Sequence, residues 1–146
     1  HFIRFRTLCL GPKLPLWEHF HGPGATLTGQ TDAEMVAEIR LFLSELQGVR
    51  SRIASDHILN LLGDLEGRLP EDRTALLGRC DAFLRLPAGE QRLYQAGRRA
   101  GLMEGLQDLE DPLLRARAEA VLAQIVRVHG PGGVEEGIRA LMERFV

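Results

Sequence analysis

The amino-acid sequence predicts a mostly α-helical chain that opens with a small β-α-β unit. Three observations carry that expectation. The opening string HFIRFRTLCL alternates apolar and basic side chains as a strand does. A capped amphipathic helix and a short β-capable run follow it before Asp56. From Ile58 onward, apolar residues recur at the three- and four-residue spacing of helices.

Each element has its own signals. In the opening strand Phe2, Arg4, Arg6 and Leu8 fall on one side and Ile3, Phe5, Thr7 and Cys9 on the other, with Gly11-Pro12 as the boundary. The prolines and glycines from Pro12 to Gly29 predict a loop, with one helical turn around Leu16 to Phe20. Thr31 followed by Glu34 is a capping box, in which hydroxyl and carboxylate each satisfy an orphan backbone N–H. Met35, Val36, Ile39, Phe42, Leu43 and Leu46 then trace the buried stripe of a helix ending at Gly48. Ser51 to Ser55 is the second strand of a parallel unit. Helices are expected over Ile58–Leu65, over Pro70–Leu84 with proline at the first helical position, and over Ala88 to about Ala100. Another starts at the Asp111-Pro112 cap, runs to about Val128 and buries Leu114, Ala118, Val121, Leu122 and Ile125. Gly130-Pro131-Gly132-Gly133 breaks the pattern before a terminal helix marked by Val134, Ile138, Leu141, Met142 and Phe145.

Composition narrows the function classes. The 146 residues are 45% hydrophobic and 26% charged with a formal net charge of −2, which describes a folded globular chain. Lys13 is the only lysine, and Asp and Glu are interspersed among the arginines, the pattern of solvated helix faces. Neither nucleic acid nor a membrane is the expected partner. Cys9 and Cys80 lie in unrelated segments and form no CxxC or Cys/His cluster, so reduced thiols in a cytoplasmic protein are expected. No serine nucleophile elbow, zinc-protease helix or phosphate loop occurs, and Gly97-Arg98-Arg99 reads as a basic helix end. Glu18, His19 and His21 have no further metal ligand nearby and read as loop residues.

Two groups of residues are candidates for binding. Arg4 and Arg6 share one face of the first strand, where adjacent cations need anions: a ligand carboxylate, or acidic neighbours. Asp56, His57 and Asn60 sit where the second strand ends, the place ligands meet parallel α/β proteins. A cap, a packed histidine and a loop hydrogen bond would account for the same three residues.

The strings FIRFRTL, PKLPLWE, AEIRLFLSEL, SRIASDHILNLLGDLEGRLPEDR, LGRCDAFLRLP and GRRAGL with LEDP resemble the C-terminal part of radical S-adenosylmethionine proteins, over about Phe2 to Arg117. The resemblance implies a helical C-terminal extension, residues 57–146, attached to a β-α-β remnant of a partial (β/α) barrel, residues 1–56. It also implies that a 4Fe–4S cluster and S-adenosylmethionine belong to the complete protein, because two cysteines cannot supply the CxxxCxxC triplet. The upstream barrel half would then be the partner of this chain, which would not be catalytically competent alone. Arg4, Arg6, Asp56, His57 and Asn60 are the positions expected to meet substrate or cofactor. The alternative expectation is a free-standing helical interaction module that self-associates through its N-terminal strand.

Overall fold

The computed structural model describes residues 1–10 and 14–145, with side chains as far as Glu143; the Gly11-Pro12 boundary and the side chain of Phe145 lie outside the described residues. The chain is mostly helical, with a three-stranded sheet in the order β1-β2-β3. β1 (Phe2–Arg4) and β2 (Arg52–Ala54) are parallel, in the register Phe2 to Arg52, Ile3 to Ile53 and Arg4 to Ala54. β3 (Gly67–Arg68) runs antiparallel on the other side of β2. Ile53, central in the sheet, is fully buried.

The first strand is shorter than the alternation predicts. Regular pairing stops at Arg4 because β2 ends at Ala54 and leaves no backbone beyond the Phe5 N–H to Ala54 carbonyl bond. The alternation persists nevertheless: Phe2, Arg4, Arg6 and Leu8 are exposed, while Ile3, Phe5 and Thr7 turn inward. β3 was not foreseen, since a two-residue strand at Gly67–Arg68 has no hydrophobic period to betray it.

α1 (Trp17–His21) is the expected single turn. α2 (Asp32–Glu45) crosses from β1 to β2 and opens on the predicted capping box: the Glu34 N–H donates to Thr31 Oγ1 at 3.2 Å and the Thr31 N–H to Glu34 Oε2 at 2.7 Å. It ends at Glu45, and Gly48 takes φ +66° beyond it.

The expected helix at Ile58–Leu65 is absent; these residues form turns. Helix would require the carbonyls of Leu59 and Leu61 for intrahelical bonds. Side chains from elsewhere take them instead: Arg99 donates to the Leu59 carbonyl, and Tyr94 Oη (3.1 Å) and Arg98 Nε (3.3 Å) donate to that of Leu61. Pro70 is likewise not the first residue of a helix. It sits in a turn after a cis peptide bond, the Asp72 carboxylate accepts from the Arg68 N–H at 2.7 Å, and α3 spans Arg73–Leu84.

α4 (Ala88–Arg99), a 3-10 turn at Leu106–Glu110 and α5 (Pro112–His129) follow. Asp111 Oδ1 caps α5, accepting from the N–H groups of Leu113 (2.8 Å) and Leu114 (3.1 Å). A Cβ on Gly97 would lie 2.6 Å from Met103 Sδ and 3.1 Å from Ala118 Cβ, so glycine is what lets α4 approach α5. The chain ends in α6 (Val134–Ala140) and a 3-10 stretch, Leu141–Phe145, where one continuous terminal helix was expected. The main apolar cluster includes Val36, Leu43 and Ile53 from before residue 57 and Leu76, Phe83 and Tyr94 from after it. Among the described residues no helix is long and apolar enough to cross a membrane.

Candidate functional site

The two parallel strands end side by side and bring the predicted residues into one neighbourhood. Arg4 Nη1 donates to Asp56 Oδ2 at 2.8 Å, and its guanidinium lies 5.9 Å from the Phe2 ring centroid. Half of each side chain remains in solvent. The acidic neighbour that adjacent cations require is thus supplied by the chain itself, for Arg4. Arg6 has no hydrogen bond or ion pair among the described residues and is exposed.

Asn60 is 4% exposed and has a structural task. Its Oδ1 accepts from the Thr7 N–H at 2.8 Å, and its Nδ2 donates to the Phe5 carbonyl and to Ser55 Oγ, each at 2.9 Å. Phe5 C=O and Thr7 N–H are the pair that one residue of a neighbouring parallel strand would bond across Arg6. The Asn60 amide therefore stands in for the next residue of β2 and fixes the backbone on both sides of Arg6. His57 is half-buried, and its Nδ1 accepts from the Leu59 N–H at 3.4 Å in a local turn. The junction thus brings Arg4 and Asp56 together as a partly solvated ion pair, ties Asn60 into the sheet, and leaves Arg6 without a partner among the described residues. Those contacts place no nucleophile beside a base. Among the described residues no group of three His, Cys, Asp or Glu side chains is placed to hold a metal ion. His21 stacks on Trp17 with centroids 3.8 Å apart.

On the α2 side of the first strand lies a cavity of about 670 Å³ that the sequence did not disclose. Its walls come from Phe5 to Leu10, α1, the exposed Thr28–Gln30 segment, α2 and the C-terminal 3-10 stretch. A signal for it existed in the α2 stripe. Six apolar positions were expected to be buried, but only Val36 and Leu43 are; Met35 and Ile39 are half-buried and Phe42 is exposed, and all three border the cavity. Cys9 also lines it. Burial, and then the nearby Glu143 carboxylate, push its thiol pKa up against the opposing pull of Arg99 and Arg139, which keeps it a neutral thiol near pH 7.

Comparison with known protein families, curated proteins and solved structures finds no match to this chain.

Proposed function

We propose that this chain is the C-terminal region of a cytoplasmic radical S-adenosylmethionine enzyme, completing or covering the substrate side of a barrel whose other half lies upstream. One observation carries the reading beyond the sequence resemblance: the parallel β1/β2 pair packs Ile3 and Ile53 into one apolar cluster with Val36 and Leu43 of α2, and its opposite face, with Phe2, Arg4 and Arg52 exposed, is bare among the described residues. Parallel strands are ordinarily buried on both faces. On the bare side Phe2 and Leu8 are 63% and 64% exposed, and Arg4, Arg6 and Asp56 stand between and beside them. In a (β/α) barrel the helix-covered face is the outside, and the opposite face, with the strands' carboxyl ends, meets ligands. Arg4, Arg6 and Asp56 would then address the interior, with His57 at the rim. Asn60 acts one step behind them by holding the strand.

The residues present do not fit the iron–sulfur cluster. Cys80 is buried in the core and Cys9 lines the cavity, so a three-thiolate set would have to come from upstream. No reaction step is assigned to this chain.

The free edge of β1 also favours a second reading, an interaction module that adds a strand from a partner or from its own copy. The coding frame ahead of His1 separates the two. A CxxxCxxC triplet within a barrel-sized stretch is expected; a frame that opens at or just before Phe2 removes the enzyme reading. In the complete protein, Arg4→Gln and Arg6→Gln should each weaken cofactor or substrate binding, and unchanged binding and turnover in both would dismiss their anchoring role.

A further inference from the structure

We propose that the cavity beneath residues 5–10 is a binding site for an uncharged, aromatic small molecule. The inference does not rest on the enzyme reading: Arg6 and Leu8 reach both surfaces, but Phe2, Arg4 and Asp56 do not border the cavity.

Size, lining and charge point to that ligand. Small-molecule sites occupy roughly 300–1,000 Å³ and are lined mainly by apolar and aromatic side chains with a few polar groups. This cavity, at about 670 Å³, is walled by Phe5, Trp17, Phe20 and Phe42 together with the thioethers of Met35 and Met142. Rings and polarizable sulfur favour an aromatic guest over a branched aliphatic one, through edge-to-face and sulfur–ring contacts. Phe5 and Phe42 already meet edge-on, 5.9 Å apart, leaving their outer surfaces toward the space. The charged groups on the wall cancel: Arg6 and Arg139 against Glu38 and Glu143. Glu38 is held further by Gln30, whose Nε2 donates to its Oε2 at 2.5 Å. A guest carrying net charge would give up hydration without meeting a net opposite charge, whereas a neutral one gives up little.

Trp17 is the only tryptophan and borders the cavity, so it is the single tryptophan donor for energy transfer to a bound probe. The test titrates the whole chain with N-phenyl-1-naphthylamine and, separately, with its sulfonated counterpart 1-anilinonaphthalene-8-sulfonate. The expected result is one neutral probe per chain, with energy transfer from Trp17, and at least about tenfold weaker binding of the sulfonate, the cost of about one poorly compensated polar group. Ile39→Asp and, independently, Met35→Asp place an unpaired charge on the apolar wall and should weaken binding of the neutral probe at least about tenfold while urea unfolding stays cooperative. Two variants are used so that a misfolded one does not decide the matter. Tighter binding of the sulfonate, several probes per chain, neutral-probe binding undiminished in both aspartate variants, or displacement of the probe as copies of the chain associate would each overturn the proposal.

Discussion

Asn60 shows how far a single residue can be read from sequence. An asparagine just after a predicted strand was legible as a polar group at a ligand-facing junction or as a loop hydrogen bond, and both readings were physically sound. What sequence does not carry is the distance between Asn60 and Phe5–Thr7, 53 to 55 residues away along the chain, which settles its contacts. Arg4 and Arg6 were legible as a pair in need of anions, but not that Asp56 would answer only one of them. The bonds rank the residues. Asn60→Ala orphans the Thr7 N–H and the Phe5 carbonyl, groups worth about 1–3 kcal/mol each when fully buried; with water reaching this part-buried strand, the expected loss is about 2 kcal/mol. Asp56→Asn breaks only a half-solvated ion pair and should lower stability by less than about 1 kcal/mol. Urea midpoints of the two variants check this, together with hydrogen exchange at the Thr7 amide, which should quicken in Asn60→Ala alone. Equal losses, or an unchanged Thr7 amide, would mean that Asn60 does not complete the sheet.

At the scale of elements, capping and periodicity were legible and capture of backbone by distant side chains was not. α2 and α5 start where Thr31 and Asp111 place them, since a cap is a contact within three residues. The turn-rich stretch 58–65 has helical apolar spacing, yet its carbonyls are held by α4, whose Gly97-Arg98-Arg99 string reads in the sequence only as a basic helix end. Arg99 is 2% exposed and also pairs with Asp32 at the start of α2, so one guanidinium ties together α4, α2 and the turn. Its Nε has no hydrogen-bond partner among the described residues. Arg99→Met removes the cation and leaves the buried Asp32 carboxylate uncompensated, and breaking a buried pair this way costs about 3–5 kcal/mol. The double variant Arg99→Met with Asp32→Leu leaves no buried charge and should be more stable than Arg99→Met alone, even though it carries one more substitution. Chemical denaturation of the two variants side by side checks the order; a less stable double variant would show that Asp32 is not stranded by the loss of Arg99.

Across the whole molecule, the helical class and the β-α-β opening followed from local pattern, while the joining of both segments in one apolar cluster follows from Ile53 and Leu43 meeting residues such as Leu76 and Phe83. Burial in that cluster also sets how the fold responds to alkali. Burial drives the Cys80 thiol up to about 11 from an ordinary 9.0, assisted by the neighbouring Asp81 carboxylate, and it pushes the Tyr94 phenol up as well. Between pH 9 and 11 the unfolded chain has given up the Cys80 proton and the folded chain still holds it. The unfolded state therefore binds fewer protons, and stability falls as pH rises through that window. Two pKa units correspond to roughly 2–3 kcal/mol for the thiol. Tyr94 deepens the fall once the unfolded phenol begins to ionise near its ordinary 10.0. Urea unfolding at pH about 8 and about 10.5 should show this loss in the native sequence. Cys80→Ala, though less stable outright because it leaves a void, should lose distinctly less between the two pH values, and an equal loss would mean that the Cys80 thiol is not what makes the core sensitive to alkali.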